Sequence, residues 1–412
     1  MSERVAVAPR PAPSRDDGAD RGGLRAFFAA RDNRPYVLLP AIPLAVALEL
    51  AHAPAAAIFI ASAIGVIPTA AAMGRATEEL ADRAGPGIGG LLNVTFGNFP
   101  ELIIAFFALI AGLHEVVKAS IIGSVISNIL LVMGASMLVG GWRRDHQYFS
   151  RRAAGAQGTM LLLATSALVM PAVFELVDGG GLPSPGEELV PGDELADGAR
   201  LPGPDDERAR SAAPVEQLSL GVAIVLLFAY VGGLWFSLKS HRDVFNPPEE
   251  RDEDAEEGRG WSVRKAVIVL AVAGLAVGLM SEMLVGTIDE TATSLGLSEF
   301  FIGVIVVAIV GNAAEHWVAV WVAAKDKMDL AVNIAIGSSA QVALFVAPVL
   351  VLLSFFFGPR PMPLVFNGFE LGGVFLAVTI GLHVVRDGES TWFEGLLLVA
   401  VYIVLGMAFF FA

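Results

Sequence analysis

Two glutamates lie inside hydrophobic stretches of membrane-spanning length, each within a matching phrase. The first phrase is Gly97-Asn98-Phe99-Pro100-Glu101, with Gly123-Ser124 downstream; the second is Gly311-Asn312-Ala313-Ala314-Glu315, with Gly337-Ser338 downstream. The matched Gly, Asn, Glu, Gly and Ser recur at one offset of 214 residues without a gap. A carboxylate within a lipid-spanning segment costs about 2.5–3.5 kcal/mol on insertion scales. Bearing that cost twice, in a repeated setting, calls for a purpose, and the simplest is to hold a cation.

The phrases carry the oxygens for it. Asn98 and Glu101 are three apart and share a helix face, as do Asn312 and Glu315. Gly97 and Gly311 stand where a helix can open and turn backbone carbonyls toward an ion, and Pro100 removes a backbone hydrogen bond beside the first. Ser124 and Asn128, four apart, and Ser338 and Gln341, three apart, can present further oxygens, or can equally bond one helix to another. Cysteine is absent and no histidine cluster accompanies the acids, so a hard, oxygen-ligated cation such as calcium is preferred to a soft metal. His316 follows Glu315 and could relay a proton or pack as a neutral ring. Glu78, beside Glu79, and Glu282 hold counterpart positions near span ends and could draw cations toward the vestibules.

The elements that position these residues follow from composition. The chain has 412 residues, 55% hydrophobic and only 17% charged, which fits a polytopic all-α membrane protein and not a soluble one. Apolar stretches long enough to cross about 30 Å of hydrocarbon fall at about 36–51, 55–73, 90–112, 119–140, 157–177, 217–238, 264–286, 300–324, 330–357, 368–385 and 394–411. With the N-terminus placed inside, these eleven spans put 22 of the 27 Lys and Arg residues on the cytoplasmic side, as the positive-inside rule requires.

Five spans separate the glutamate phrases, so the two copies enter the bilayer in opposite directions. This predicts two inverted five-helix repeats, 55–238 and 264–411, with an additional first helix at 36–51. Such repeats place substrate sites near the midplane, where broken helices meet. Three hydrophilic segments remain: a disordered cytoplasmic leader at 1–34, an external acidic loop at 178–216, and a cytoplasmic acidic segment at 241–260. The net charge of −15 gathers in the last two and argues against a nucleic-acid partner. Two carboxylates in a dry site cannot readily stay ionised and empty together. Metal or protons must neutralise them, and if only neutralised states switch sides, the two ions exchange across the membrane.

These phrases resemble those of the calcium/proton exchanger (CAX) family of the cation/calcium exchanger superfamily. The matching residues are Gly97-Asn98-x-x-Glu101-Leu102 with Gly123-Ser124-x-x-Ser127-Asn128, and Gly311-Asn312-Ala313-Ala314-Glu315-His316 with Gly337-Ser338-Ser339-x-Gln341. The likeness extends over spans 2 to 11, through Ala76-Thr77-Glu78-Glu79-Leu80, Ser281-Glu282 and the acidic segment, but not to the leader or the 178–216 loop. Phe99-Pro100 departs from the Ala-Ala or Ala-Thr usual before the first glutamate. The resemblance implies Glu101 and Glu315 as central ion ligands, Glu78 and Glu282 guarding access, His316 near the proton pathway, and the acidic segment as a calcium-sensing or regulatory helix.

The expectation is a Ca²⁺/H⁺ antiporter that exports cytoplasmic calcium, with Ca²⁺, protons and the lipid bilayer as partners, self-association into a homo-oligomer left open, and no resident cofactor. It is placed in a bacterial inner membrane with the N-terminus cytoplasmic. A Na⁺- or K⁺-coupled exchanger and a broad monovalent cation/H⁺ antiporter are the alternatives within transport. A membrane-embedded enzyme is disfavoured because diphosphate, zinc-protease and nucleophile-elbow motifs are lacking. A calcium sensor is disfavoured because the polar residues lie within the spans.

Overall fold

A computed structural model describes residues 31–178, 181–185, 207–237 and 261–412. Most of the expected leader, most of the external loop and all of the acidic segment lie outside the described residues. The rest is an all-α polytopic membrane protein. Its helices are α1 (Ala41–Leu50), α2 (Ala55–Gly97), α3 (Phe99–Ile110), α4 (His114–Ile126), α5 (Met133–Gly141), α6 (Arg151–Leu168), α7 (Met170–Asp178), α8 (Glu207–Trp235) and α9 (Val263–Gly286). They continue as α10 (Ile288–Leu295), α11 (Glu299–Phe301), α12 (Ala308–Gly311), α13 (Ala313–Ala324), α14 (Met328–Gln341), α15 (Ala347–Ser354), α16 (Gly368–Val384) and α17 (Trp392–Phe410). Wide π-helical turns at Ser127–Val132, Ile302–Val307 and Val342–Val346 join α4 to α5, α11 to α12 and α14 to α15.

Every expected span falls on helix, though not span for span. Among the described residues, seven helical runs are long and apolar enough to cross a bilayer, and the bent pair Ile288–Leu295 with Glu299–Gly311 makes an eighth; α3 and α16 are shorter apolar helices. The apolar run expected to stop at 73 stays helical to Ala84. The reason is local: Arg75 to Leu80 are good helix formers, and no breaker arrives until Gly85-Pro86. The chain then doubles back. A methyl on Gly89 would lie 2.2 Å from the carbonyl oxygen of Ala81, whereas residues eight apart on a straight helix are separated by about 12 Å. Residues 207–216, expected as loop, begin α8, and α10 occupies a stretch expected to be loop, stopping at the left-handed Gly296 (φ 66°).

Contacts between chain ends sort them onto two faces. On one, Tyr36 bonds Arg75, the Trp261 amide donates to Glu79 Oε2 (2.7 Å), and Arg75 lies over the Trp261 ring (5.3 Å). On the same face a short antiparallel ribbon pairs β1 (Gln147–Tyr148) with β2 (Glu389–Ser390), and the Ser150 amide donates to Asp329 Oδ1. A cavity lined by Tyr36, Arg75 and Lys325 joins the two groups. On the other face Lys118 Nζ donates to the Val365 carbonyl (2.9 Å), the Leu364 amide donates to Ser219 Oγ (2.9 Å), and Gly112 packs on Pro359. All segments on the first face follow an even number of expected spans or precede the first, and all those on the second follow an odd number.

Apolar side chains such as Leu275 on α9 and Phe228 on α8 point outward, as a lipid-facing belt should. Inside, small residues let backbones touch. A methyl on Gly123 would meet the Val304 carbonyl oxygen at 2.1 Å, and one on Gly303 would meet Ala119 Cβ at 2.8 Å, so α4 lies flush against the π turn before α12. That contact sets the depth at which Ser124 meets the second glutamate phrase.

Candidate cation site

Both glutamate phrases break their helices at one residue. α2 ends at Gly97 and α12 at Gly311; Asn98 (φ −92°, ψ 10°) and Asn312 (φ −96°, ψ 3°) leave helical geometry, and α3 and α13 restart at the next residue. Pro100 cannot donate to the Phe96 carbonyl, which takes the Asn98 amide instead. Each glutamate is the third residue of a half-helix, where the dipole favours a negative charge, and the opened backbone just before it turns a helix C-terminus toward the same spot.

The two breaks face each other. A methyl on Gly97 would sit 3.6 Å from Glu315 Oε1, and one on Gly311 would sit 3.2 Å from Glu101 Cγ, so each acid lies against the glycine of the opposite phrase. The carboxylates are close enough to act electrostatically on one another. Neither forms an ion pair among the described residues. Ser124 and Asn312 stand beside Glu101 and Ser338 beside Glu315. Even so, both Glu101 oxygens and Glu315 Oε2 are buried without a well-formed hydrogen bond, and Asn312 and Ser338 give their hydrogens to other partners.

Those engagements form one network across the halves. Asn312 Nδ2 donates to Ser124 Oγ (2.9 Å) and to the Ala308 carbonyl (2.8 Å). Asn128 Nδ2 donates to Asn312 Oδ1 (3.4 Å) and Ser338 Oγ (3.3 Å), and Ser338 Oγ donates to Asn98 Oδ1 (3.3 Å). Asn98 Nδ2 donates to Gln341 Oε1. His316 Nε2 lies 3.1 Å from Asn128 Oδ1, an acceptor, which makes the imidazole the donor there. The network therefore commits the Asn98, Asn128, Asn312 and Ser338 hydrogens within itself, and three carboxylate oxygens keep no well-formed bond. Among the described residues no cluster of three or more His, Cys, Asp or Glu forms, so an ion here would meet two carboxylates and otherwise neutral oxygens. That donor set fits a hard cation that keeps part of its water.

Eleven of the residues singled out from sequence thus converge: Gly97, Asn98, Glu101, Ser124, Asn128, Gly311, Asn312, Glu315, His316, Ser338 and Gln341. Glu78 and Glu282 do not reach them. A cavity of about 620 Å³ runs from Glu315, Ser338 and Gln341 past Trp317 and Trp321 to Glu78, Arg75 and Tyr36, and Glu78 stands exposed at its mouth. Glu282 is exposed near the opposite end of α9. Tyr36 and the two tryptophans were missed as cavity lining, although aromatics near span ends were a readable signal.

A sodium/calcium exchanger protein family model matches residues 54–239 and 265–411, which is most of the chain and both phrases. The chain belongs to this family. It is 43% identical to the Ca(2+)/H(+) antiporter ChaA of Bacillus subtilis over 92% of this chain and 99% of that protein. It is 41% identical to the Ca(2+)/H(+) antiporter of Aphanothece halophytica over 91% of this chain and 96% of that protein. Among solved structures, native YfkE superposes with a TM-score of 0.73 at 40% identity, covering 92% of this chain and all of the other.

Proposed function

We propose that this chain is a secondary active transporter, a Ca²⁺/H⁺ antiporter, in which Glu101 and Glu315 jointly hold the exchanged cation. The observation that carries the reading is the pair of buried carboxylates, one from each phrase, with three oxygens lacking a hydrogen bond and no counter-ion among the described residues. Relatives that align end to end and are Ca(2+)/H(+) antiporters support calcium and protons as the two ions. Calcium is cargo here, ligated by Glu101 and Glu315 with oxygens from Asn98, Asn312 and the Gly97 and Gly311 carbonyls. Ser124, Asn128, Ser338 and Gln341 fix the amides, and His316 orients Asn128 and stands by the proton route.

The inverted halves are 55–238 and 264–411, with 36–51 as an added helix, in a bacterial inner membrane with the N-terminus cytoplasmic. On that orientation the cavity opens to the cytoplasm, so this conformation is ready to load calcium for export. Two negative charges in a dry site resist burial until something neutralises them. Either calcium or protons serve, each excludes the other, and the empty ionised site is the state least able to close. That exclusion couples the two fluxes. Glu78 at the cavity mouth and Glu282 at the other end concentrate cations at the two entrances.

The test is radiolabelled calcium uptake into proteoliposomes under an imposed pH gradient, with and without sodium or potassium. The expected result is uptake that follows the pH gradient, ignores both monovalent cations, and is abolished in Glu101→Gln and in Glu315→Gln. Uptake that requires sodium or potassium and ignores pH would replace proton coupling with monovalent coupling.

A further inference from the structure

A second set of buried charges lies away from the glutamate pair, at the face opposite the cavity mouth. Glu115 and Lys118 open α4, and Glu370 is in the first turn of α16; all three are nearly or fully inaccessible. Lys118 Nζ lies 3.4 Å from Glu115 Oε2 and donates to the Val365 carbonyl. Asn367 bridges the acids: its Nδ2 donates to Glu115 Oε1 (3.4 Å), while its Oδ1 accepts from the Glu370 amide (2.9 Å). Glu370 Oε2 accepts the Asn367 amide (2.7 Å), but Glu370 Oε1 is buried and has no partner.

Among these three side chains the charges do not balance. Two carboxylates and one ammonium leave one negative charge in a region that burial makes costly for an uncompensated ion. Glu115 and Lys118 are the charges that act on Glu370, both from α4. The other helices packed on α16, α6 and α17, carry their charged groups Arg151, Arg152 and Glu394 at the far membrane face, and the phenol Tyr402 lies midway along α17. His114 begins α4 on the same face as the cluster.

We infer that Glu370 is a second proton-binding site, filled from the face opposite the cavity, with the proton on Oε1. On uptake one proton bonds to the carboxylate, giving a neutral acid beside a Glu115–Lys118 ion pair; on release it returns to water on that face and the cluster regains its negative charge. This deepens the proton-exchange reading, because it gives the proton a waiting position on the side from which the gradient would drive it.

Difference infrared spectroscopy between neutral and alkaline pH reads protonated carboxyls directly. It is best done on the full chain carrying Glu101→Gln and Glu315→Gln, so that the central pair contributes nothing. The expected result is a protonated-carboxyl band that disappears at alkaline pH and is lost on adding Glu370→Gln. Glutamine at this position preserves the helix cap, so the variant should fold. The band should be lost equally on adding Glu115→Gln, which keeps Glu370 in place but leaves it balanced by Lys118. No titrating band in the parent, or a band that survives either substitution, would overturn the inference. The measurement needs no transport, so failure of the antiport reading would be seen separately, as calcium uptake indifferent to pH in the unaltered protein.

Discussion

The two glutamate phrases match in sequence but not in access. Glu315 lines the cavity together with Gly311, Ala314 and Ser338 from its own half, whereas the first phrase contributes Gly97 and Pro100 and leaves Glu101 behind them with both oxygens sealed. Downstream the halves differ again. Gly123 is jammed against the Val304 backbone, while a methyl on Gly337 would find only the Gln157 amide at 3.5 Å. A repeat therefore need not be symmetric at any instant. One copy is packed shut while the other borders water, and exchanging those conditions between the copies is what alternating access would require.

The largest effect expected from this asymmetry is in chemical access. A membrane-permeant carbodiimide should modify Glu315 well before Glu101 when calcium is absent, and calcium should protect both; mass spectrometry of the labelled peptides reads the order. Equal labelling would mean that the two copies are equally open. Next comes packing. Gly123→Ala must displace a backbone carbonyl and should destabilise by about 1–3 kcal/mol, the usual range for overpacking. Gly337→Ala should stay within about 0.5 kcal/mol, like a substitution that meets no special feature. Thermal unfolding in detergent compares them, and equal losses would remove the distinction. Smaller and more local, Asn312→Ala removes the donor that ties Ser124 to the second phrase and should cost about 1–3 kcal/mol for the buried partners left unpaired. Calcium affinity should fall with it. Unchanged affinity would make Asn312 a helix-to-helix strut only.

Much of this was legible in the chain. Apolar composition and length located the helices, because a bilayer forbids most alternatives. The 214-residue offset located the acids, because polar groups in spans are too costly to recur by accident. The helix break at each Asn was readable from Gly97 and Pro100 in the first copy; the second copy breaks with no proline, so the tertiary contact must supply what sequence does not. The doubling back near Gly89 was signalled by Gly85-Pro86-Gly87 and Gly89-Gly90, which the span bounds passed over as an ordinary connection. The Glu115, Lys118 and Glu370 cluster escaped for a different reason: Glu115 and Lys118 sat at a span end where charges are unremarkable, and Glu370 is about 250 residues away. Glu370 alone, two residues into an apolar span, carried a usable signal.

The claim on which the rest turns is that one ion is shared by both carboxylates in place of protons. Calorimetric titration of the purified protein with calcium, repeated in buffers of different ionisation enthalpy, measures binding and proton release together. Binding that displaces protons, and that vanishes in Glu101→Gln and in Glu315→Gln alike, is the predicted result. Calcium binding that releases no protons, or that survives in either variant, would contradict it.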